Sequence, residues 1–292
     1  MVCNLCPRRC NALRDDTHGE GRCKMPDRLV VARAALHMWE EPCLSGTGGA
    51  GTIFFSGCPL GCVFCQNGQI SHQNYGKAIT EDRLYEIFEE LAAQGAHNIE
   101  LVTPTHFSHI LIRLLSRPVP GALPVVWNCG GYESVSTLRS LEGKVDIYLP
   151  DLKYLTEHKA ARYSAAPDYP EVVKAAIGEM YRQRGPVRFE GGLLKSGVII
   201  RHLLMPGGLA EAKRVMDWVA ETFPTGAVLF SLMAQYTPLG DLSACPEIDR
   251  TLRPSEVRAA RQYMADLGLN GYVQDLESVG EGFIPSFDLT GL

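Results

Sequence analysis

The chain has 292 residues, of which 46% are hydrophobic and 21% charged, and its formal net charge is −5. This composition is typical of a globular protein, and the length suits an α/β barrel that buries roughly 75% of its unfolded surface. The acidic balance argues against a nucleic-acid binder, and no apolar run approaches the ~20 residues that span a bilayer. Because the N-terminus lacks a signal-peptide pattern, we expect a cytoplasmic protein that binds neither nucleic acid nor membrane.

The first segment, residues 1–51, is rich in cysteine and begins with too few apolar residues for a core of its own. Cys3, Cys6, Cys10 and Cys23 follow a C-x2-C-x3-C-x12-C spacing. Without an export signal, these thiols are expected to be metal ligands in a reducing compartment rather than disulfides. Four thiolates around one metal would stabilise such a segment. Zinc and an auxiliary iron–sulfur cluster both suit four cysteines, and free or packed thiols are the alternative.

The second cysteine group follows the apolar run 52–55 directly. Cys58, Cys62 and Cys65 have a C-x3-C-x2-C spacing within a loop in which glycine and proline favour a sharp bend. Three thiolates on one tight loop can hold three irons of a cubane cluster and leave the fourth iron open. A zinc knuckle is the alternative, but zinc sites usually have four ligands in a closed set. The loop therefore predicts an iron–sulfur cluster, and with it an oxygen-sensitive protein.

From Thr52 onward, short β-rich runs alternate with helical patterns, which predicts parallel strands joined by right-handed crossovers. Thr80 is the predicted N-cap of the first helix and Gly95 its end. We predict a barrel over 52–245, preceded by the cysteine-rich segment 1–51 and followed by a helix and tail, 246–292, that pack on it. The predicted strands are 52–56, 98–102, 124–128, 145–149, 198–204 and 227–232, and the further helices are 107–116, 134–141, 170–184, 209–222 and 254–267.

Polar residues stand at the ends of these apolar strands, where chemistry gathers in α/β barrels. They are Thr103, Thr105, His106, Asn128, Asp151, Lys153 and Arg201. Hydrogen-bond acceptors with one lysine and one arginine suit a zwitterionic ligand that carries a ribose. The alternatives are a rim ion pair between Asp151 and Lys153, a structural charge at Arg201, and a strand-end cap at His106. Arg201 and His202 alternate along one strand, so at most one is expected to point into the barrel.

The C-x3-C-x-aromatic-C loop, with Phe64 in the aromatic position, resembles the signature of the radical S-adenosylmethionine (SAM) superfamily. The six strand–helix units likewise resemble its partial (β/α)6 barrel. The resemblance implies a [4Fe–4S] cluster on Cys58, Cys62 and Cys65, whose open iron binds the amino and carboxylate groups of SAM's methionine. It also implies reductive cleavage of SAM to a 5′-deoxyadenosyl radical that abstracts hydrogen from a substrate.

Further motifs resemble the pyruvate formate-lyase activating enzyme subgroup: Asp151-Leu152-Lys153, Arg201-x4-Pro206-Gly207, Asn128-x-Gly-Gly-Tyr132 and the opening Cys-x-Leu-Cys-Pro. The match implies that Lys153 and Arg201 face the charged end of SAM. It places Asp151 and Asn128 at the amino group or ribose, and Phe64 at the adenine.

The chain departs from that subgroup after the second strand. Thr103-Pro104-Thr105-His106 replaces the usual Gly-Gly-Glu, so a threonine hydroxyl or the His106 ring is expected to accept the hydrogen bond from the amino group. Asn128 also stands where those activases can carry an aspartate.

The resemblance implies activation of a glycyl radical enzyme, with a flavodoxin or ferredoxin as electron donor. One alternative is the same radical chemistry on a peptide, a cofactor precursor or a small metabolite. The other is a non-catalytic metal-binding or redox-sensing protein, for which we expect no SAM binding.

Overall fold

A computed structural model, which describes residues 1–274 and 285–292, shows a mixed α/β fold built on one large, open and mainly parallel sheet. The strands are β1 (Val2–Cys3), β2 (Ala12–Leu13), β3 (Leu29–His37), β4 (Ala50–Phe55), β5 (Lys77–Ile79), β6 (Ile99–Val102), β7 (Val125–Cys129), β8 (Ile147–Pro150), β9 (Arg188–Glu190), β10 (Leu193–Leu203), β11 (Leu229–Met233) and β12 (Gly271–Val273).

Helices pack on one side of this sheet, and one short helix fills one end of the barrel. They are α1 (Pro42–Ser45), α2 (Gly68–Ser71), α3 (Glu81–Ala93), α4 (Ser108–Leu114), α5 (Val135–Ser140), α6 (Glu157–Ser164), α7 (Tyr169–Arg184), α8 (Leu209–Thr222) and α9 (Pro254–Asp266), with short 3-10 helices at Thr105–Phe107, Pro120–Ala122 and Pro246–Ile248. In the described part of the chain, no helix combines the length and apolarity needed to cross a membrane.

The strand order is β12-β11-β10-β8-β7-β6-β4-β3-β5, with β9 paired to β10 and a separate β1–β2 ladder. The six predicted strands are confirmed as β4, β6, β7, β8, β10 and β11, and they pair in parallel. β3 and β5 extend the sheet in antiparallel fashion beyond β4. The sheet is therefore the partial barrel expected, with an added antiparallel edge.

β12 was not expected, because the tail after Asn270 has no strong hydrophobic period. It pairs in parallel with β11, and Gly271 permits the close approach of the two chains. A Cβ at Gly271 would lie 1.9 Å from the carbonyl oxygen of Phe230, at a φ of +149°. Of the remaining tail, residues 275–284 lie outside the described residues, and Leu289 and Thr290 run beside β3.

The predicted helices are all present, with small shifts at their ends. Thr80 accepts a hydrogen bond from the Arg83 N–H and caps α3, as predicted. α6 was missed, since its buried positions are few and small or polar. The outer helices bury one apolar face on the sheet and form the main core; on α3 this face consists of Leu84, Ile87, Phe88 and Leu91.

The inside of the barrel is layered. At the bottom, Cys43 and Leu44 of α1 pack among the apolar residues Val126, Ile147, Leu149, Ile199 and Leu229. Charged side chains lie above this plug, and the cysteine loop after β4 lies at the carboxyl ends of the strands. The plug fills one end of the barrel, and the cavity described below lies at the other end.

The Glu211 carboxylate at the start of α8 anchors the loop that leads from β8 into α6. It accepts hydrogen bonds from the Leu155 N–H and the Thr156 hydroxyl, at 2.6 and 2.5 Å. Burial alone would raise the pKa of Glu211, but these hydrogen bonds and the charge of Lys159 outweigh it and leave the pKa below its ordinary value of 4.5. The anchor therefore stabilises the fold in its ionised form.

We expect Glu211→Gln to lower the free energy of unfolding at pH 7 by about 1.5–3 kcal/mol, since hydrogen bonds to a charged group are lost. A carboxyl with a depressed folded pKa stabilises the protein above its unfolded pKa and loses this contribution as pH falls through the folded pKa. Denaturant titrations between pH 7 and pH 3 should therefore show a shallower acid dependence below about pH 4 in the variant than in the wild type. Glu221→Gln, exposed on the same helix, is the control. Equal acid dependence of variant and wild type would contradict the assignment.

Candidate active site

The cysteine loop runs from the end of β4 to α2 and forms one wall of a cavity of about 270 Å³. Two turns need glycine, at Gly57 (φ +82°) and Gly61 (φ +67°). Cys58, Cys62, Cys65 and Phe64 all line the cavity. The sequence-predicted cluster ligands therefore meet at one place.

All ten cysteines are free, and the three loop thiols are engaged by neighbouring groups. The Cys62 sulfur lies 2.9 Å from the Ser164 hydroxyl, and the Ser71 hydroxyl donates to the Cys65 sulfur at 3.2 Å. The Leu60 N–H donates to the Cys58 sulfur. Within residues 1–274 and 285–292, no group of three or more His, Cys, Asp or Glu side chains is arranged to hold a metal ion as it stands.

The donor set nevertheless fits an iron–sulfur cluster, because three unbridged thiols share one cavity wall. Burial raises the pKa of Cys58, Cys62 and Cys65 above the ordinary thiol value. The positive charge of Lys153 opposes this effect at each sulfur. Thiolate at this loop is therefore favoured by bound metal, with Lys153 as a secondary stabilising charge.

The opposite wall is formed by the ends of β7, β8 and β10, and the structure brings the predicted polar residues together there. The Lys153 ammonium lies 2.6 Å from Asp151. Arg201 donates to Asn128 at 2.6 Å and to Asp151 at 3.3 Å. His202 points the other way and is buried against the Leu152 carbonyl. As expected from the alternation along the strand, only Arg201 of this pair lines the cavity.

Sequence reasoning missed three glutamates at this wall: Glu40 and Glu41, which line the cavity, and Glu100, which does not line it. Arg201 donates to Glu40 at 3.1 Å, and the Asn128 amide donates to Glu100 at 2.6 Å. Glu100 is fully buried, and burial together with the nearby charge of Glu40 raises its pKa well above the ordinary value. An acidic residue inside the apolar strand 98–102 was a usable signal for Glu100. No local pattern marks Glu40 or Glu41, which approach the barrel from the loop before α1.

The end of β6 carries Thr103 and Thr105, and both line the cavity. Thr103 has a φ of +58°, a region that β-branched residues avoid and that often marks a functional site. The Thr105 hydroxyl donates to Glu133, whose second oxygen has no hydrogen-bond partner among the described residues. Burial raises the pKa of Glu133 to about 7. Glu133 lines the same cavity and was not among the predicted residues.

His106 does not line this cavity in the described structure, contrary to its expected contact with SAM. Its ring donates from Nε2 to the Ser56 carbonyl at 2.7 Å and packs on Phe107. Burial lowers the pKa of His106 to about 3, so the ring is neutral. The alternative that His106 caps a strand end describes this position better.

The four N-terminal cysteines line a second, much smaller cavity of about 10 Å³. The Arg22 N–H donates to the Cys10 sulfur at 3.4 Å. Burial raises the pKa of Cys6 and Cys23, and backbone hydrogen bonds from Arg8 and Met25 partly offset this. The antiparallel β1–β2 ladder, which pairs Cys3 with Ala12, holds the segment together.

Comparison with known proteins agrees with this geometry. A family model of the Radical SAM superfamily matches residues 52–219. An uncharacterized protein of Methanocaldococcus jannaschii is 30% identical over 267 residues, which cover 88% of this chain and 72% of that protein.

Comparison with solved structures gives two matches to report. A mutant of spore photoproduct lyase has a TM-score of 0.52 at 12% identity, over 79% of this chain and 78% of that chain. A domain of the pyruvate-formate lyase-activating enzyme from Bacteroides vulgatus has a TM-score of 0.36 at 15% identity, over 67% of this chain and 91% of that chain. The family match spans the cysteine loop and all the strands that carry the cavity's charged wall, and the chain belongs to the radical SAM superfamily.

Proposed function

We propose that this protein abstracts a hydrogen atom from a substrate, with a [4Fe–4S] cluster on Cys58, Cys62 and Cys65 and SAM in the adjoining cavity. The observation that carries the proposal is the shared cavity, with three free thiols on one wall and charged strand-end groups on another. When bound, the cluster supplies the electron for reductive cleavage of SAM. Enzymes of this superfamily need a reductant, and a flavodoxin or ferredoxin is the proposed donor.

Lys153 is the best-placed partner for the carboxylate of SAM. Burial alone would lower the pKa of Lys153, but the charge of Asp151 outweighs it and keeps the ammonium protonated. Arg201 already donates to Glu40, Asp151 and Asn128, so we assign it to holding that wall. Phe64 lines the cavity beside Tyr236 and offers an aromatic face for adenine.

Glu133 is the proposed hydrogen-bond acceptor for the amino group of SAM's methionine. Its buried carboxyl is held by Thr105 and lies beside Trp127 and Cys129, and Glu133 is one of the residues that line the cavity. A hydrogen bond in which the acceptor is a charged carboxylate is stronger than one between neutral groups. The Thr105–Glu133 pair would thus do the work that the resemblance assigns to a glutamate directly after β6.

We expect Glu133→Gln to weaken SAM binding by about 10- to 100-fold at pH 8, since a hydrogen bond to a charged group is lost. In the wild type, affinity should rise with pH through about 7, as Glu133 becomes a carboxylate, and the variant should lack this rise. Anaerobic calorimetric titration with SAM at pH 6, 7 and 8 measures both effects. Glu221→Gln serves as the control, and wild-type affinity in Glu133→Gln at all three pH values would refute the assignment.

The proposed substrate is a backbone glycine of a glycyl radical enzyme. The resemblance of Asp151-Leu152-Lys153 and of the β7 end to the activase subgroup supports this choice. A second candidate is a peptide, a cofactor precursor or a small metabolite. It is favoured by the changed SAM contact at Thr103–His106 and by the additional N-terminal cysteines.

Electron paramagnetic resonance on an anaerobic extract of the source organism distinguishes these candidates. After addition of reconstituted protein, SAM and a reductant, we expect a persistent glycyl doublet together with 5′-deoxyadenosine. Deoxyadenosine without a doublet would favour the second candidate. A protein that neither binds nor cleaves SAM would instead be a metal-binding or redox-sensing protein.

Cys58→Ala should lose cluster iron and all SAM cleavage, because two thiolates on this loop cannot hold three irons. Iron analysis and deoxyadenosine formation after anaerobic reconstitution are the measurements. Cys245→Ala removes a buried thiol that is not among the described residues lining the cavity, and it should retain both properties. Undiminished SAM cleavage by Cys58→Ala would remove the central claim.

We also propose that Cys3, Cys6, Cys10 and Cys23 bind one metal ion. The four thiols line one cavity, and its volume of about 10 Å³ is close to that needed for a single water molecule. This space suits one tetrahedral ion such as zinc better than a second cubane. Backbone N–H groups near three of the sulfurs would stabilise the thiolates.

Metal analysis of the anaerobically reconstituted chain should therefore give about four irons and one zinc. In Cys23→Ser the zinc should be lost, because three thiolates remain for a site that requires four. Cys58→Ala is the matched variant and should lose iron while keeping zinc. About eight irons and no zinc in the wild type would favour an auxiliary cluster.

A further inference from the structure

The turn between the first two proposed cluster ligands is held from outside by the N-terminal segment 1–28, here called the cysteine module. Arg8 of this module donates from Nε to the Pro59 carbonyl at 2.8 Å and from Nη2 to the Leu60 carbonyl at 3.3 Å. Both carbonyls lie between Cys58 and Cys62. One arginine therefore fixes the backbone of the turn from a segment remote in sequence.

The same guanidinium also binds the end of α6. It donates to the carbonyls of Ser164, at 2.9 Å, and Ala165. The Ser164 hydroxyl contacts the Cys62 sulfur, and the Tyr163 carbonyl accepts from the Val63 N–H. Arg8 thus joins the cysteine loop to the end of α6, and the end of α6 also contacts that loop directly.

This arrangement depends on the shape of arginine. A guanidinium offers five N–H donors in a fixed plane, whereas a lysine ammonium is a compact point charge that cannot span four carbonyls in this way. The guanidinium also lies 5.2 Å from the centre of the Tyr132 ring, in cation–π geometry. These contacts therefore define both the position and the orientation of the Arg8 guanidinium.

The backbone of Arg8 is held next to a cysteine of the module. Arg8 lies two residues after Cys6, in a turn in which the Arg9 N–H donates to the Cys6 carbonyl at 3.1 Å. Arg22, next to Cys23, also donates to the Leu60 carbonyl, at 3.3 Å. Two of the four module cysteines thus have an arginine close by in sequence that reaches the same turn.

Gly57 and Pro59 show how closely the module and the loop are packed. A Cβ at Gly57 would lie 2.4 Å from the Met25 side chain of the module. Pro59 lines both the 270 Å³ cavity and the small cavity of the four module cysteines. A single turn of chain separates the two proposed metal sites.

We infer that Arg8 is a positioning residue through which a metal-loaded cysteine module holds the Cys58–Cys62 turn in the shape that retains the cluster. A metal on Cys6 fixes the Arg8 backbone, and the Arg8 side chain then restrains the turn. Loss of metal from the module releases the restraint, so cluster retention depends on the metal state of the module. This inference rests on the proposed assignments of the two cysteine sets.

The test uses the full-length, anaerobically reconstituted protein with both metals bound. A ferrous chelator is added, the rate of iron release is followed by absorbance, and zinc is measured in the same samples. We expect Arg8→Met to release iron about ten-fold faster, since several hydrogen bonds to a charged group are lost, while its zinc content stays at the wild-type level. Arg8→Lys should release iron at a rate between those of the wild type and Arg8→Met, because lysine keeps the charge but lacks the planar guanidinium.

Two further variants separate the contact from general effects. Cys23→Ser should lose zinc and release iron as fast as Arg8→Met. Lys24→Gln removes a positive charge from the same module, at a side chain with no hydrogen bond or ion pair within residues 1–274 and 285–292, and should behave as the wild type. The electron paramagnetic resonance spectrum of the reduced cluster should change in Arg8→Met and Cys23→Ser and stay unchanged in Lys24→Gln.

Wild-type iron release in a folded Arg8→Met protein would overturn the role of Arg8. Wild-type iron release in zinc-free Cys23→Ser would overturn the dependence on the module. A wild-type chain that binds no four-iron cluster would overturn the proposed function itself, and this inference with it. Thermal unfolding of each variant identifies a loss of fold. Arg22→Gln removes a hydrogen bond to the Leu60 carbonyl from an exposed side chain, and it should show the same faster release in smaller degree.

Discussion

The interior of the barrel depends on the guanidinium of Arg201, whose side chain is 14% exposed at the cavity wall. A largely desolvated charge needs paired N–H groups, since an unpaired buried charge costs about 3–5 kcal/mol. Its partners come from three separate segments: Glu40 from the loop before α1, Asn128 from β7 and Asp151 after β8. These pairs fix the relative positions of three strand ends at the level where the cavity begins.

Asp151 connects this layer to the ligand cavity, because it pairs with both Arg201 and Lys153. Burial alone would raise its pKa, but the two cations outweigh this and keep the pKa of Asp151 below its ordinary value. A charged wall thus faces the cysteine loop across the cavity, with an apolar plug beneath it. A low-dielectric site with fixed charges orients a zwitterion without the reorganisation that water requires.

The cysteine module contributes to the same site from outside the barrel. Arg8 and Arg22 donate hydrogen bonds to carbonyls of the cysteine loop, and Arg14 donates to the carbonyl of His106 at the end of β6. The module is therefore packed against the carboxyl ends of two strands. A segment with so small a core of its own gains stability from these contacts.

Features that depend on neighbours in sequence were determined by the sequence itself. The C-x3-C-x2-C loop, the Thr80 cap and the alternation of strands and helices each depend on residues within one or two turns of chain. The meeting of Asn128, Asp151 and Arg201 also followed, since parallel strands present their carboxyl ends at one edge.

Only the tertiary structure decided which distant residues complete the site. Glu40 reaches Arg201 across 161 residues of sequence, and Glu133 meets Thr105 only because the ends of β6 and β7 adjoin. His106 turned away because its ring pairs with the Ser56 carbonyl, fifty residues earlier. Such contacts are set by the packing of elements against one another, and short-range periodicity and spacing carry no information about them.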